Sequence, residues 1–410
     1  MDFPDLLDDF LRYVRVDTRS DEESEDFPST AKQFDLARLL EKELIQLSLD
    51  DVRVDRWGYV FATLKTNQTE PQPTIALIAH LDTSPDVSGE NVNPQVWKDY
   101  DGRDLILPRG DNVVLRTADD GYLGEKIGAT LITSDGATLL GADDKAGIAE
   151  IINAVKYLNA HPEIPRPHVR LVFTPDEEVG RGTEKLNLDE VGADCAYTLD
   201  GEKLGEVEDE TFCADSVDIT VTGVNVHPGY AKGKLINAVK IAADILNRFP
   251  ADAMSPETTE KREGYVHPHH IEGGVEKTVL KVLVRDFLED GLKEKEDFIR
   301  DIVETAGKRY PGATIDMKVK ESYRNMKLVL DQHPETVQKA LRAVEMAGVK
   351  PRKNIIRGGT DGARLSFMGL PTPNIFTGGT NFHSRKEWIT LEDMQKAAEV
   401  IVHLMTLWVR

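Results

Sequence analysis

Four short apolar runs in this chain of 410 residues end on side chains that bind cations or move protons. TIALIA (74–79) leads directly into His80 and Asp82, and HVRLVFT (168–174) leads into the paired carboxylates Glu177 and Glu178. CAYTL (195–199) leads into Asp200, and NIFTGGTNFHS sets His383 beyond one more such run. Runs of this kind read as strands buried on both faces, and open α/β sheets gather ligands at the carboxyl edge of such strands. A neutral imidazole offers nitrogen to a metal while a nearby carboxylate fixes its tautomer. Adjacent carboxylates divide labour, one holding metal and the other moving protons. GADDKAG adds Asp143 and Asp144 at the start of a helix, where capping of free backbone N–H groups explains them as well as metal binding does. Each motif alone also has a plain structural reading: a polar strand end, a helix cap or a charged turn.

Taken together, two histidines and three carboxylates at element ends of one domain form a coherent ligand set. The chain has only two cysteines, Cys195 and Cys213, which are not spaced as a thiolate site. Nitrogen and oxygen donors without thiolate suit zinc, cobalt or manganese, and a bridging carboxylate suits two ions about 3.5–4 Å apart. The expected chemistry is metal-assisted hydrolysis.

The elements that position these residues alternate. From Pro28 to Leu49 the apolar residues recur at helical spacing, and VRVDRWGYVFATL then alternates and turns at Gly58 like a pair of strands. Ile148, Ile151, Ile152, Val155 and Leu158 mark one face of a helix beginning near Asp143. After Glu210 the style changes: Val217, Ile219 and Val221 alternate with polar residues, as in a strand with one wet face. A helix at Leu235–Phe249, strands near 265–272 and 278–286, a helix over 288–307 and a strand at Ile315–Val319 complete a βαββαβ order, the split ferredoxin-like arrangement. From Pro334 the first style returns. The expected architecture is an α/β catalytic domain (1–210 and 322–410) with an inserted α+β domain (211–321). The stretch from Thr83 to Gly128 is rich in turn residues, and long loops inside a compact domain are often functional.

Composition excludes several classes. A net charge of -22 opposes binding to a phosphate backbone, and the basic residues form no dense run, so nucleic acid is not an expected partner. No apolar stretch approaches the roughly 20 residues that span a bilayer, so no membrane role is expected. The N-terminal MDFPDLLDDF lacks the basic and apolar regions of a secretory signal, which makes the cytoplasm the expected location.

The motifs HLDTSPDVSG, LLGADDKAGIAEI, FTPDEEVGRG, TLDGE, VHPGYAKGKLINA, RDF, RGGTDGARLSF and GGTNFHS, with FLRYVRVDTRS and PSTAKQ near the start, run the length of the chain. In content and order they resemble the M20 metallopeptidases, and among these the tripeptide aminopeptidases. The resemblance implies a zinc-peptidase-like fold with the ferredoxin-like domain as a lid that in relatives often serves dimerisation. It implies two Zn2+ per subunit, with Co2+ or Mn2+ as alternatives: His80 and Asp200 on one, Glu178 and His383 on the other, and Asp143 rather than Asp144 bridging them. It also implies Asp82 as the partner of His80, Glu177 as general base, and short peptides, tripeptides in particular, as substrate.

His227 in VHPGYAKG is expected to stabilise an oxyanion or bind substrate carboxylate. Arg285 in RDF and Arg357 in IIRGGTDGA are candidate carboxylate clamps, because a guanidinium binds carboxylate bidentately. His267, His269 and His270 in YVHPHH read as surface or lid residues rather than a further metal site. The rivals are another M20 hydrolase (dipeptidase, carboxypeptidase or N-acyl-amino-acid deacylase) and a catalytically silent metal-dependent binding protein.

Overall fold

The computed structural model describes residues 1–410 and divides into two compact units. The larger comprises Met1–Asp209, Met326–Ile355 and Thr360–Arg410; the smaller comprises Glu210–Asn325 and Ile356–Gly359.

The larger unit is built on an eight-stranded mixed sheet. Its strands follow in the order Asp50–Val54, Val60–Leu64, His168–Thr174, Thr74–His80, Cys195–Gly201, Asn374–Phe376, Glu206–Thr211 and Arg352–Ile356. The middle strands run parallel: Thr74–His80 pairs with His168–Thr174 on one side and with Cys195–Gly201 on the other, and Asn374–Phe376 also runs parallel to Cys195–Gly201. Their near-continuous apolar sequence follows from burial on both faces. Successive side chains of a strand point to opposite faces, and Ala76 and Ile78 meet Leu365 and Leu370 on one of them. Helix Ala142–Ala160 packs against the same strand, against helix Leu391–Leu407 and against helix Leu6–Tyr13. It is buried nearly all round, including Ile148, Ile151, Ile152 and Val155. Each such buried aliphatic side chain stabilises the fold by about 1.5–3 kcal/mol over leaving it in water.

The stretch from Thr83 to Gly128 is not structureless. Its strand Gln95–Trp97 joins Leu131–Thr133 and Trp388–Thr390 in a three-stranded sheet, and Tyr100, Leu107, Leu115, Tyr122, Leu123 and Trp388 form a core of their own. The indole Nε1 of Trp388 donates to Asp120, tying this subcore to the segment after His383.

The smaller unit has the expected βαββαβ order. Strands Cys213–Thr222, Tyr265–Gly273, Lys277–Asp286 and Thr314–Tyr323 form an antiparallel sheet, and helices Ala238–Leu246 and Glu289–Arg309 pack against it. Val217, Ile219, Val221, Leu280, Val282 and Val284 face Ile241, Ile245, Ile299 and Ala306 in its core. Residues Ile356–Gly359, which sequence alone groups with the larger domain, pack here. The reason is Arg357, whose guanidinium donates to Lys261 O (2.7 Å), Glu263 O (2.9 Å) and Thr259 Oγ1 (3.0 Å). No helix is long and apolar enough to cross a membrane.

Candidate metal centre

The parallel strands deliver their carboxyl ends side by side, so residues far apart in sequence meet at one edge of the larger unit. His80 ends one strand, Asp200 is the penultimate residue of its neighbour, and Glu177 and Glu178 follow a third. Asp143 and Asp144 stand before helix Ala142–Ala160 proper. Both have non-helical backbone angles, the peptide between them is cis, and neither caps the helix, whose N-cap is Gly141. Asp144 instead turns inward, where its Oδ2 accepts from the backbone N–H of His80 (3.0 Å). That contact separates the two aspartates: Asp144 fixes a strand end, and Asp143 has both oxygens in the site.

Two ligand sets form, and both contain Asp143: His80 with Asp143 and Asp200, and Asp143 with Glu178 and His383. Asp143 Oδ1 lies 2.8 Å from His80 Nε2, and Oδ2 lies 3.3 Å from His383 Nε2. Asp200 Oδ1 is 3.6 Å from His80 Nε2, and Glu178 Oε2 is 2.8 Å from His383 Nε2. His80 Nδ1 faces the backbone carbonyl of Asp82 (3.0 Å), which can only accept, so this nitrogen carries the proton and Nε2 is turned to the site. His383 sits at a positive φ of 57° in an exposed turn, with Nδ1 3.4 Å from Asp86 Oδ2.

The electrostatics fit cations. Burial and the charge of Asp143 push Asp200 up to about 6 and Glu178 up to about 8. Burial and the charge of Asp200 hold Glu177 well above the usual carboxylate range. Burial works against a charged His383, but its hydrogen bonds to Asp143 and Glu178 prevail and push it up to about 11. Glu177 and Glu178 thus favour their protonated forms, whereas hydrogen bonds to His383 and His80 hold Asp143 below the usual carboxylate range against the effect of burial; positive ions would relieve the same repulsion. Glu178 Oε1 is buried without a hydrogen-bond partner, an acceptor that a cation would satisfy. The nitrogen and oxygen donors fit two divalent ions sharing Asp143.

Asp82 acts on more than His80. Its carboxylate accepts the backbone N–H of Glu177 (3.0 Å) and of Glu178 (3.2 Å), whereas its Oδ1 lies 3.5 Å from His80 Nδ1. Sequence reasoning missed two further supports of Glu177. Asp361, at the start of helix Asp361–Met368, donates its N–H to Glu177 Oε1 (3.2 Å), while Thr174 Oγ1 bonds its carboxylate (2.8 Å). Asp176, at a φ of 58°, accepts from Ser29 N (2.6 Å), Ser29 Oγ (2.5 Å) and Gln33 Nε2 (2.7 Å), which anchors the turn carrying Glu177. The signal for the second lay in PSTAKQ, whose Ser29 and Gln33 are both buried. A cleft of about 540 Å³ opens at Asp143 and His383, lined also by Asp119, Asp120, Glu202, Lys203 and Phe382.

His227, Arg285 and Arg357 belong to the smaller unit. His227 Nδ1 accepts from Gly229 N (3.1 Å), which leaves Nε2–H as a donor, and its ring lies 5.2 Å from that of Tyr230. Arg285 donates to Val284 O (2.9 Å) and Asp215 O (3.2 Å). Arg357 also lies over the ring of Phe212 at 5.2 Å. His267 and His269 stand 6.0 Å apart ring to ring, and neither ligand set includes them or His270.

A family model described as peptidase family M20/M25/M40 matches residues 135–407. The chain is 48% identical over 403 residues to "Peptidase T" of Caldanaerobacter subterraneus, covering 98% of each chain. It is 47% identical over 399 residues to "Peptidase T" of Clostridium perfringens, covering 97% of this chain and 98% of the other. Among solved structures, the aminopeptidase PepT of Bacillus cereus superposes with a TM-score of 0.76 at 24% identity, over 100% of this chain and 99% of the other. A dinuclear metal binding peptidase from Bacillus subtilis superposes with a TM-score of 0.66 at 15% identity, over 98% of this chain and 97% of that one.

Proposed function

The chain belongs to peptidase family M20/M25/M40, and from that premise we propose that it is a di-zinc aminopeptidase releasing the N-terminal residue of tripeptides. The observation that carries the chemistry is the single carboxylate of Asp143 placed between two nitrogen-and-oxygen donor sets, one of which contains Glu178, the neighbour of Glu177 in the chain. The substrate class is supported by relatives named peptidase T at 47–48% identity across nearly the whole chain.

In this reading His80 and Asp200 hold one ion, Glu178 and His383 the other, and Asp143 both. When bound, such ions make water more acidic and polarise a carbonyl oxygen. The protein's own part is proton transfer and positioning. Glu177 takes the proton of the water that attacks the first peptide carbonyl and returns it to the departing amine as the C–N bond breaks. Asp82 holds the Glu177 and Glu178 amides, and the Asp361 N–H holds one Glu177 oxygen, so the base has a fixed orientation. His227 is proposed to offer Nε2–H to a substrate oxygen, and Arg285 and Arg357 to take the substrate's terminal carboxylate.

Zinc-loaded protein assayed against a tripeptide, a dipeptide and an N-blocked tripeptide tests the proposal. Turnover of the free tripeptide well above the other two is expected. Preference for the dipeptide or for the blocked peptide would assign a different M20 activity, and no hydrolysis of any would leave a binding protein. The Nη1 and Nη2 groups of Arg357 are committed to Lys261, Glu263 and Thr259, so binding a carboxylate requires exchanging some of these bonds; on this reading Arg357→Ala should raise KM for the tripeptide at least tenfold, about 1.4 kcal/mol or more. An unchanged KM would remove Arg357 from the substrate side.

A further inference from the structure

The buried carboxylate of Glu387 gathers three backbone N–H groups from the segment that presents Asp143. Its Oε2 accepts from Leu140 N (2.7 Å) and Gly141 N (2.8 Å), and its Oε1 accepts from Asp143 N (3.1 Å). It is 1% exposed. Helix N-termini leave such donors unpaired, and Gly141, at a φ of 83°, turns the chain so that they point to one side. Successive N–H groups around a left-handed residue form a concavity that accepts an anion. Here the anion is a side chain of the protein.

The backbone of Glu387 belongs to the other half of the site. Thr380 and Trp388 exchange both hydrogen bonds (Thr380 N to Trp388 O 3.0 Å, Trp388 N to Thr380 O 3.2 Å), closing the loop that carries His383. Inside it Glu387 N donates to Ser384 O (3.3 Å) and Ser384 Oγ to Asn381 O (2.6 Å). The loop is thus fixed to itself, and the Glu387 side chain spans from it to the Asp143 segment. His80 has separate supports in the carbonyl of Asp82 and the carboxylate of Asp144. The support of His383 is more exposed: its side chain is 42% exposed, and the Asp86 carboxylate 3.4 Å from its Nδ1 is 64% exposed.

We propose that Glu387 is a positioning residue that sets the spacing of His383 and Asp143, and so governs the affinity of the Asp143–Glu178–His383 set for its ion more than that of the His80–Asp143–Asp200 set. The inference rests on the two-metal reading above. Replacing the carboxylate by an amide keeps one oxygen for two of the N–H groups and turns an NH2 toward the third, which displaces Asp143 relative to His383.

Metal-free full-length protein titrated with Zn2+ in competition with a chromogenic chelator reads both affinities without recourse to turnover. For Glu387→Gln one equivalent should bind within about threefold of the unsubstituted protein and the other about 10- to 100-fold more weakly, the range for loss of a partner that orients a ligand. Glu387→Asp, which keeps the charge but shortens the reach, should show the same asymmetry to a smaller degree and serves if the glutamine variant does not fold. Glu43→Gln is the comparison: it disturbs the Arg12–Tyr13–Glu43 cluster of the same unit and should leave both affinities unchanged. Both equivalents unchanged in the Glu387 variants, or both weakened equally, would overturn the role. An unsubstituted protein that takes up fewer than two ions would overturn the two-metal reading itself.

Discussion

Glu177 is held on two sides, its N–H by the Asp82 carboxylate and its Oε1 by the Asp361 N–H, which makes its proposed role separable from metal binding. Glu177→Ala removes the proton carrier but none of the five ligand side chains. It should keep its zinc and lose roughly 10²–10⁴ in kcat, the usual contribution of a positioned general base; zinc content and steady-state kinetics on the same sample decide it. Near-normal kcat with full zinc would show that another group moves the proton. Asp82→Ala acts one step further out, freeing the Glu177 and Glu178 amides. At saturating zinc its kcat should fall about 10- to 100-fold, in line with the loss of other supporting contacts in metal sites, and an unchanged kcat would assign Asp82 to fold stability alone. The residue types at the strand ends were legible in the sequence because strand periodicity and ligand chemistry coincide there. The choice between Asp143 and Asp144 was not legible from spacing, since both follow Gly141 and Ala142 and only the inward contact of Asp144 with His80 N distinguishes them. Asp361 escaped notice for a related reason: an aspartate at a helix start reads as a cap, and its N–H donation to Glu177 is a contact across the fold.

At the level of elements, strand Glu206–Thr211 carries the buried Glu208, whose Oε2 accepts from Asn374 Nδ2 (2.7 Å) in the neighbouring strand. Burial pushes this carboxyl up to about 8 from an ordinary value of 4.5, with the Asn374 hydrogen bond opposing and Glu206, Asp200 and Glu202 adding repulsion. The folded state therefore binds this proton more tightly than the unfolded chain does. Its contribution to stability is fully present below the ordinary value and is lost as pH rises through about 8. Glu208→Gln should flatten the decline in unfolding free energy over that window, measured by denaturant titration at several pH values with metal content held constant. An identical slope would mean that Glu208 is ionised in the fold. The apolar runs identified the central strands, but their order could not be read, because strand neighbours are set by contacts distant in sequence. Asn374–Phe376 illustrates this: three residues placed between Cys195–Gly201 and Glu206–Thr211, with no local signal for either partner.

For the whole molecule, the candidate metal ligands come from segments spread from His80 to His383, so on the two-metal reading occupancy and global stability are linked. A ligand bound only by the folded state stabilises it by about 2.7 kcal/mol at a hundred times its Kd. Chelation should therefore lower Tm by several degrees, and zinc should restore it in a concentration-dependent way. A Tm indifferent to chelator would indicate that the folded protein holds no ion that the chelator removes. The change of sequence style after Glu210 exposed the insertion of the smaller unit, since a wet-faced antiparallel strand patterns differently from a doubly buried parallel one. The return of Ile356–Gly359 to that unit left no such trace; it depends on the bonds of Arg357 to Thr259, Lys261 and Glu263.

The insertion also orders events in time. Residues 210–325 form a nearly uninterrupted unit with its own core, and domains fold as units during synthesis, N-terminal parts first. The larger unit must wait, because Asn374–Phe376 enters the interior of its sheet and His383 and Glu387 come later still. A chain cut short after the smaller unit lacks both a central strand and His383, one of the candidate metal ligands. On the two-metal reading, hydrolytic competence is thereby confined to chains whose synthesis has passed His383 and Glu387.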